Sequence, residues 1–80
     1  MSPESLREML ERQPFLPFRL HLSDGRHFVI SRPKLVFIGG SVTVIGIVRN
    51  VASEFFDEPV IVANRHITSL EPIIEAVPAN

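Results

Sequence analysis

Three histidines and a set of arginines are the side chains of this 80-residue chain best suited to chemistry. His21 and His27 stand either side of Asp24-Gly25, close enough in sequence to share one hairpin. Across paired strands their imidazoles would face each other, and a cross-strand His pair binds zinc when a third ligand converges. The sequence identifies no third ligand, because Asp24 belongs to the turn. No metal and no other cofactor is therefore expected, and both histidines read as solvated strand residues. Arg19, Arg26, Arg32 and Lys34 share the same stretch. With His21 and His27 they could make a local positive face that takes phosphates, which arginine grips through two parallel N–H donors. The competing reading is a polar strand face that discourages unwanted edge pairing. Arg65-His66 forms a second basic spot.

Signs of catalysis are missing. The chain has no Cys, no Walker-type glycine loop, no paired carboxylates at a recognisable spacing and no local Ser-His-acid signature. Gly39-Gly40-Ser41 resembles an anion cradle, but nothing after it opens a helix onto a phosphate, so it reads as a turn. An enzyme is not expected and no small-molecule substrate is identifiable. Phe55-Phe56, followed by Asp57-Glu58, are the candidate protein-contact residues. Adjacent aromatics cannot both enter one strand face, so at least one caps the core or stands exposed.

The elements that must position these groups follow from local pattern. Phe18, Leu20 and Leu22 alternate with Arg19 and His21, and Phe28 and Ile30 resume the alternation after Asp24-Gly25. This is the period of half-buried strands joined at a tight reversal. Ahead of them Ser2-Pro3-Glu4 has the residues of a helix start. Leu6, Met9 and Leu10 form a narrow apolar stripe, and Pro14 ends the helix, predicted over about 2–13. Arg32-Pro33-Lys34 breaks the second strand. Further strands are predicted at Leu35–Ile38, Val42–Val48, Val60–Val62 and Ile67–Leu70. Gly46 inside the β-branched Val42–Val48 run suggests a bulge or bend, and that run could be covered on both faces. Ile67 and Leu70 are three apart, which suggests a bulge or an early end. Residues 49–58 form a loop and about 73–80 a tail. The core is expected from Leu6, Met9, Leu10, Phe18, Leu20, Leu22, Phe28, Ile30, Val36, Ile38, Val44 and Val60.

Length makes 1–80 a single domain, near the lower limit for one core without metal or disulfide support. Eight Lys/Arg against nine Asp/Glu leave a net charge of −1 and a pI near 6.3, so the counterion release that drives nucleic-acid binding is not written into the composition. Forty-five per cent hydrophobic residues and a mean hydropathy of +0.22 are high for so short a chain. Some apolar surface should therefore meet a partner, and another copy is the simplest one. There is no signal-peptide pattern and no apolar run long enough for a bilayer, so a cytoplasmic location is the default expectation.

Together these readings predict a mainly β, α+β domain: an N-terminal helix laid across a small, strongly bent five-stranded antiparallel barrel. In this layout the chain resembles the Sm-like (SH3-like) fold, and within it the bacterial Hfq family. The resemblance rests on the N-terminal helix, on Pro17-Phe-Arg-Leu-His-Leu-Ser-Asp-Gly25 and on Asn64-Arg-His-Ile-Thr-Ser-Leu70. It implies that Arg65 and His66 match a basic pair at the RNA-binding pore of a ring, with Phe37 nearest to the aromatic residue that stacks on bases. Pro14-Phe-Leu-Pro-Phe-Arg-Leu-His-Leu-Ser-Asp-Gly-Arg26 is also similar to a pattern in a group of small bacterial proteins. Two functions are expected in this order: a self-associating, non-enzymatic interaction module, and an RNA-binding protein.

Overall fold

The computed structural model describes residues 3–50 and 52–73. Ser2, the expected helix cap, and the tail beyond residue 73 lie outside the described residues. The chain runs helix α1 (Pro3–Glu11), then strands β1 (Phe18–Leu22), β2 (His27–Ile30), β3 (Val36–Ile38), β4 (Val42–Ile47), β5 (Glu58–Ala63) and β6 (Ile67–Pro72).

The six strands form two separate three-stranded antiparallel sheets, ordered β2-β1-β6 and β3-β4-β5. The expected five-stranded closed barrel is therefore incorrect. Pro33–Leu35 adopts one turn of 3₁₀ helix, closed by Leu35 N–H donating to the Arg32 carbonyl at 3.1 Å. That turn divides what would have been one long strand, so β2 pairs only with β1 and β3 only with β4. A second 3₁₀ turn, Asn64–His66, returns the chain from β5 to β6. With the backbone bent away at both junctions, no ladder joins the two sheets.

The Asp24-Gly25 hairpin forms as its turn chemistry dictates. Gly25 takes a φ of 91°, which a side chain would resist, and the Asp24 carboxylate accepts the Arg26 N–H at 2.9 Å. Strand β1 is central, matching Phe18 to Ile30 and Leu20 to Phe28 on one side, and Leu20 to Leu70 on the other. The irregularity expected near Ile67 is present: the β1–β6 register shifts between His21 and Leu22, which face Ser69 and Ile67.

The core between the sheets consists of Leu6, Phe18, Leu20, Leu22, Ile30, Val36, Ile45, Val62 and Ile67, with Met9, Leu10, Phe28, Ile38 and Val60 packed against it. Val44, expected inside, is on the other face of β4. The inward positions are Thr43 and Ile45. Thr43 is fully buried because its hydroxyl donates to Asn64 Oδ1 at 2.6 Å, and Asn64 Nδ2 donates in turn to the Gly39 carbonyl at 2.8 Å. Gly46 makes no bulge, since the β4–β5 register runs unbroken through its pairing with Pro59. Its hydrogen serves close approach instead. A Cβ there would stand 3.0 Å from Phe56 Cβ and 3.3 Å from Leu35 Cβ.

Candidate functional site

Two sheet faces look away from the core, and their chemistry is opposite. On the first sheet the outward side chains are Arg19 and His21 of β1, His27 and Val29 of β2, and Ser69 and Glu71 of β6, matched across the ladders. His21 and His27 do face each other, with ring centroids 5.7 Å apart. The neighbour that sequence reading missed is Glu71. Its carboxylate accepts a hydrogen bond from His21 Nε2 at 3.0 Å and lies 3.6 Å from the Arg19 guanidinium. The His21 hydrogen bond first, and then the charges of Arg19 and His21, hold the Glu71 carboxyl below its ordinary value. No group of three or more His, Cys, Asp or Glu among the described residues is placed to hold a metal ion.

The lowered Glu71 value fixes the sign of a pH effect. An acid whose folded pKa is depressed stabilises the fold above its unfolded pKa, and that contribution disappears as pH falls through the folded one. Glu71→Gln should therefore lose this contribution at neutrality, by a small amount because the pair is exposed. It should converge with the parent as pH falls from about 5 to 3, which flattens the acid side of the stability profile by the same amount. Urea titrations across that range check it. An unchanged acid slope would show that the contact contributes nothing.

The remaining cations are dispersed. Arg26 pairs with Asp24 at 2.7 Å and sits 5.9 Å from the Phe28 ring centroid; the two N–H groups of Arg26 lower the Asp24 carboxyl in turn. Arg32 donates to the Ser53 carbonyl, tying the residue-50s loop to the end of β2. Lys34 is exposed on the 3₁₀ turn after Arg32. Arg65 and His66 lie on the second 3₁₀ turn, where His66 Nδ1 is 3.2 Å from Ser23 Oγ. The expected basic residues thus fall into small groups, with Arg26 and His66 lining one groove and His27 and Arg32 another, rather than the single hairpin face that the sequence suggests.

On the second sheet the outward positions are Phe37 of β3, Val42, Val44 and Gly46 of β4, and Pro59, Ile61 and Ala63 of β5. None carries a polar side chain. Phe37, Val44 and Ile61 are direct cross-strand partners and make one apolar row across all three strands. Phe37 is 56% exposed and Ile61 67%, so the core does not use this row. One end of the face is covered by the chain itself: Phe56 lies against Gly46, while Phe55 beside it is 76% exposed. The loop bearing both is held by Arg49, whose backbone N–H donates to Asp57 at 2.7 Å and whose guanidinium pairs with Glu58. Charges gather at the rim, with Arg7, Glu11 and Lys34 lining a groove beside Phe37 and Arg65 lining one beside Val42 and Ala63.

Sequence reading picked out Phe55 and Phe56 as contact residues but missed Val42, Val44 and Ile61. The available signal was the sequence of β4, β-branched at every position but Gly46, whose single polar residue, Thr43, does not make a polar side for water.

No helix among the described residues is long and apolar enough to cross a membrane. Comparison with known proteins finds no family model that matches the chain and no similar curated protein or solved structure. Nothing there identifies the Sm-like family that the sequence resembles.

Proposed function

We propose that this chain is a non-enzymatic assembly module that associates with copies of itself through the outward face of β3-β4-β5. The observation that carries the reading is the Phe37–Val44–Ile61 row, an apolar stripe turned away from the core with no polar residue interrupting it. With Val42 and Phe56 it is a patch of large apolar side chains, of which Phe37, Val42, Phe56 and Ile61 are each between 41% and 67% exposed. Contiguous apolar surface of this kind marks a contact site rather than scattered surface residues. An apolar centre inside a charged rim is the usual anatomy of such a surface. The RNA-binding reading has less support, because its cations already face carboxylates: Glu71 lies beside Arg19 and His21, and Asp24 pairs with Arg26.

Light scattering from low to high micromolar concentration, read together with the ultraviolet absorbance ratio, tests the reading. The expected result is a mass rising from monomer toward dimer in protein free of nucleic acid. A strict monomer at high micromolar concentration would overturn it. With no Trp or Tyr in the chain, co-purified nucleic acid would dominate the absorbance and favour the RNA-binding reading instead.

A further inference from the structure

We infer that the second copy packs face to face about a two-fold axis lying along the Phe37–Val44–Ile61 row, so that the Phe55-Phe56 loop of each copy enters the groove beside Val42 and Ala63 of the other. This rests on the self-association reading and extends it to a geometry.

Two two-fold axes can appose this face with its copy while keeping the strands nearly aligned. An axis along β4 places like strand ends together and sets Phe37 over Ile61. An axis across the strands places opposite ends together and sets Phe37 on Phe37, Val44 on Val44 and Ile61 on Ile61.

The relief of the face decides between them. At the Gly46–Pro59 end, Phe56 lies so close to the strand that a Cβ on Gly46 would stand only 3.0 Å from the Phe56 Cβ, so this end is raised by a ring. At the opposite end Val42 is matched to Ala63. Beside that pair opens a groove of about 630 Å³, lined by Pro3, Gly40, Ser41, Val42, Ala63 and Arg65 among others. Raised end on raised end would hold the sheets apart by roughly a ring thickness, about 3.5 Å, and the central row would lose its contacts. Raised end on low end closes the row and fills the groove.

Charge agrees with shape. The aromatic pair is flanked by Glu54 and Asp57, and the groove it would enter is edged by Arg65. An arginine beside an incoming aromatic also gains from the ring face.

Charge swapping at Ile61 tests the axis, because only the axis across the strands places that residue against itself. Ile61→Lys alone and Ile61→Glu alone are each expected to weaken self-association on the order of 100-fold, since like charges then oppose each other in the interface. An equimolar mixture of the two variants is expected to restore dimer mass in light scattering. Far-ultraviolet circular dichroism on each variant confirms that the exposed substitution leaves the fold intact. If the mixture stays monomeric while Ile61→Lys pairs with Phe37→Glu, the axis runs along β4 and the inference falls, though self-association stands. If the unsubstituted protein is itself monomeric, the functional reading fails first.

Discussion

Replacing Phe18 with alanine is expected to cost about 3–5 kcal/mol, the range for deleting a fully buried phenylalanine whose site cannot collapse. Phe18 has no exposed surface. It sits on the central strand of the first sheet, matched to Ile30 on one side and Pro72 on the other, with the Phe15 ring edge-on at a centroid distance of 6.2 Å. Those ladders fix the backbone on both sides, so little can move into the space a lost ring leaves. A domain of this size has only about 4–12 kcal/mol of total stability, so the variant should be largely unfolded under mild denaturant. Its thermal midpoint should drop by roughly 15–30 °C. Phe55→Ala, measured at a protein concentration low enough for the chain to be monomeric, is the internal control: at 76% exposure it should then stay within about 0.5 kcal/mol of the parent. Urea unfolding of the two variants followed by circular dichroism makes the comparison. Equal losses would show that the core has been assigned to the wrong face of β1.

The same two residues show what the sequence made legible. Phe18 could be placed because β1 alternates cleanly with Arg19 and His21, and the reversal at Asp24-Gly25 is set by the turn residues themselves. Both are local. Strand β4 offered no such guide. Val42, Val44, Ile45 and Ile47 are apolar on both faces, and the one polar residue, Thr43, points inward. Parity was therefore undetermined from pattern, and Val44 was expected in the core although the chain turns it outward. What resolves it is Asn64, twenty-one residues away, whose side chain gives the buried hydroxyl an acceptor. The division into two sheets was hidden in a similar way. Pro33 was readable as a break, but whether a broken strand curls on or starts a second sheet depends on pairings formed only in the folded chain. Glu71 belongs with these cases. It meets His21 across fifty residues of sequence, through the β1–β6 ladder alone. The surface proposed to bind a second copy was legible only in part. Phe55 and Phe56 could be identified as adjacent aromatics in a loop, whereas the row they extend required the register of three strands.

Asn64→Ala is expected to cost about 2–4 kcal/mol, because it strands the fully buried Thr43 hydroxyl and the partly buried Gly39 carbonyl at once. In the parent, Asn64 joins β5 to the 3₁₀ turn and spans the gap to the β3–β4 turn. Its backbone N–H donates to the Ser41 carbonyl at 2.9 Å, its amide donates to Gly39, and its carbonyl accepts from Thr43. Alanine keeps the backbone bond and deletes the other two. The Thr43 hydroxyl, fully buried, then lacks its acceptor, and the Gly39 carbonyl lacks its donor. A double-mutant cycle separates this from loss of packing. Thr43→Val alone removes the hydroxyl and leaves Asn64 Oδ1 waiting, so it should also destabilise. The pair Thr43→Val with Asn64→Ala should cost less than the two singles added, by about 1 kcal/mol or more, since with valine no hydroxyl remains to be satisfied. The cycle is measured by chemical denaturation at one protein concentration, because self-association would add its own free energy to the folded state. Strict additivity would mean that the hydrogen bond between the two side chains contributes nothing, and that the inward parity of β4 is set by Ile45 alone.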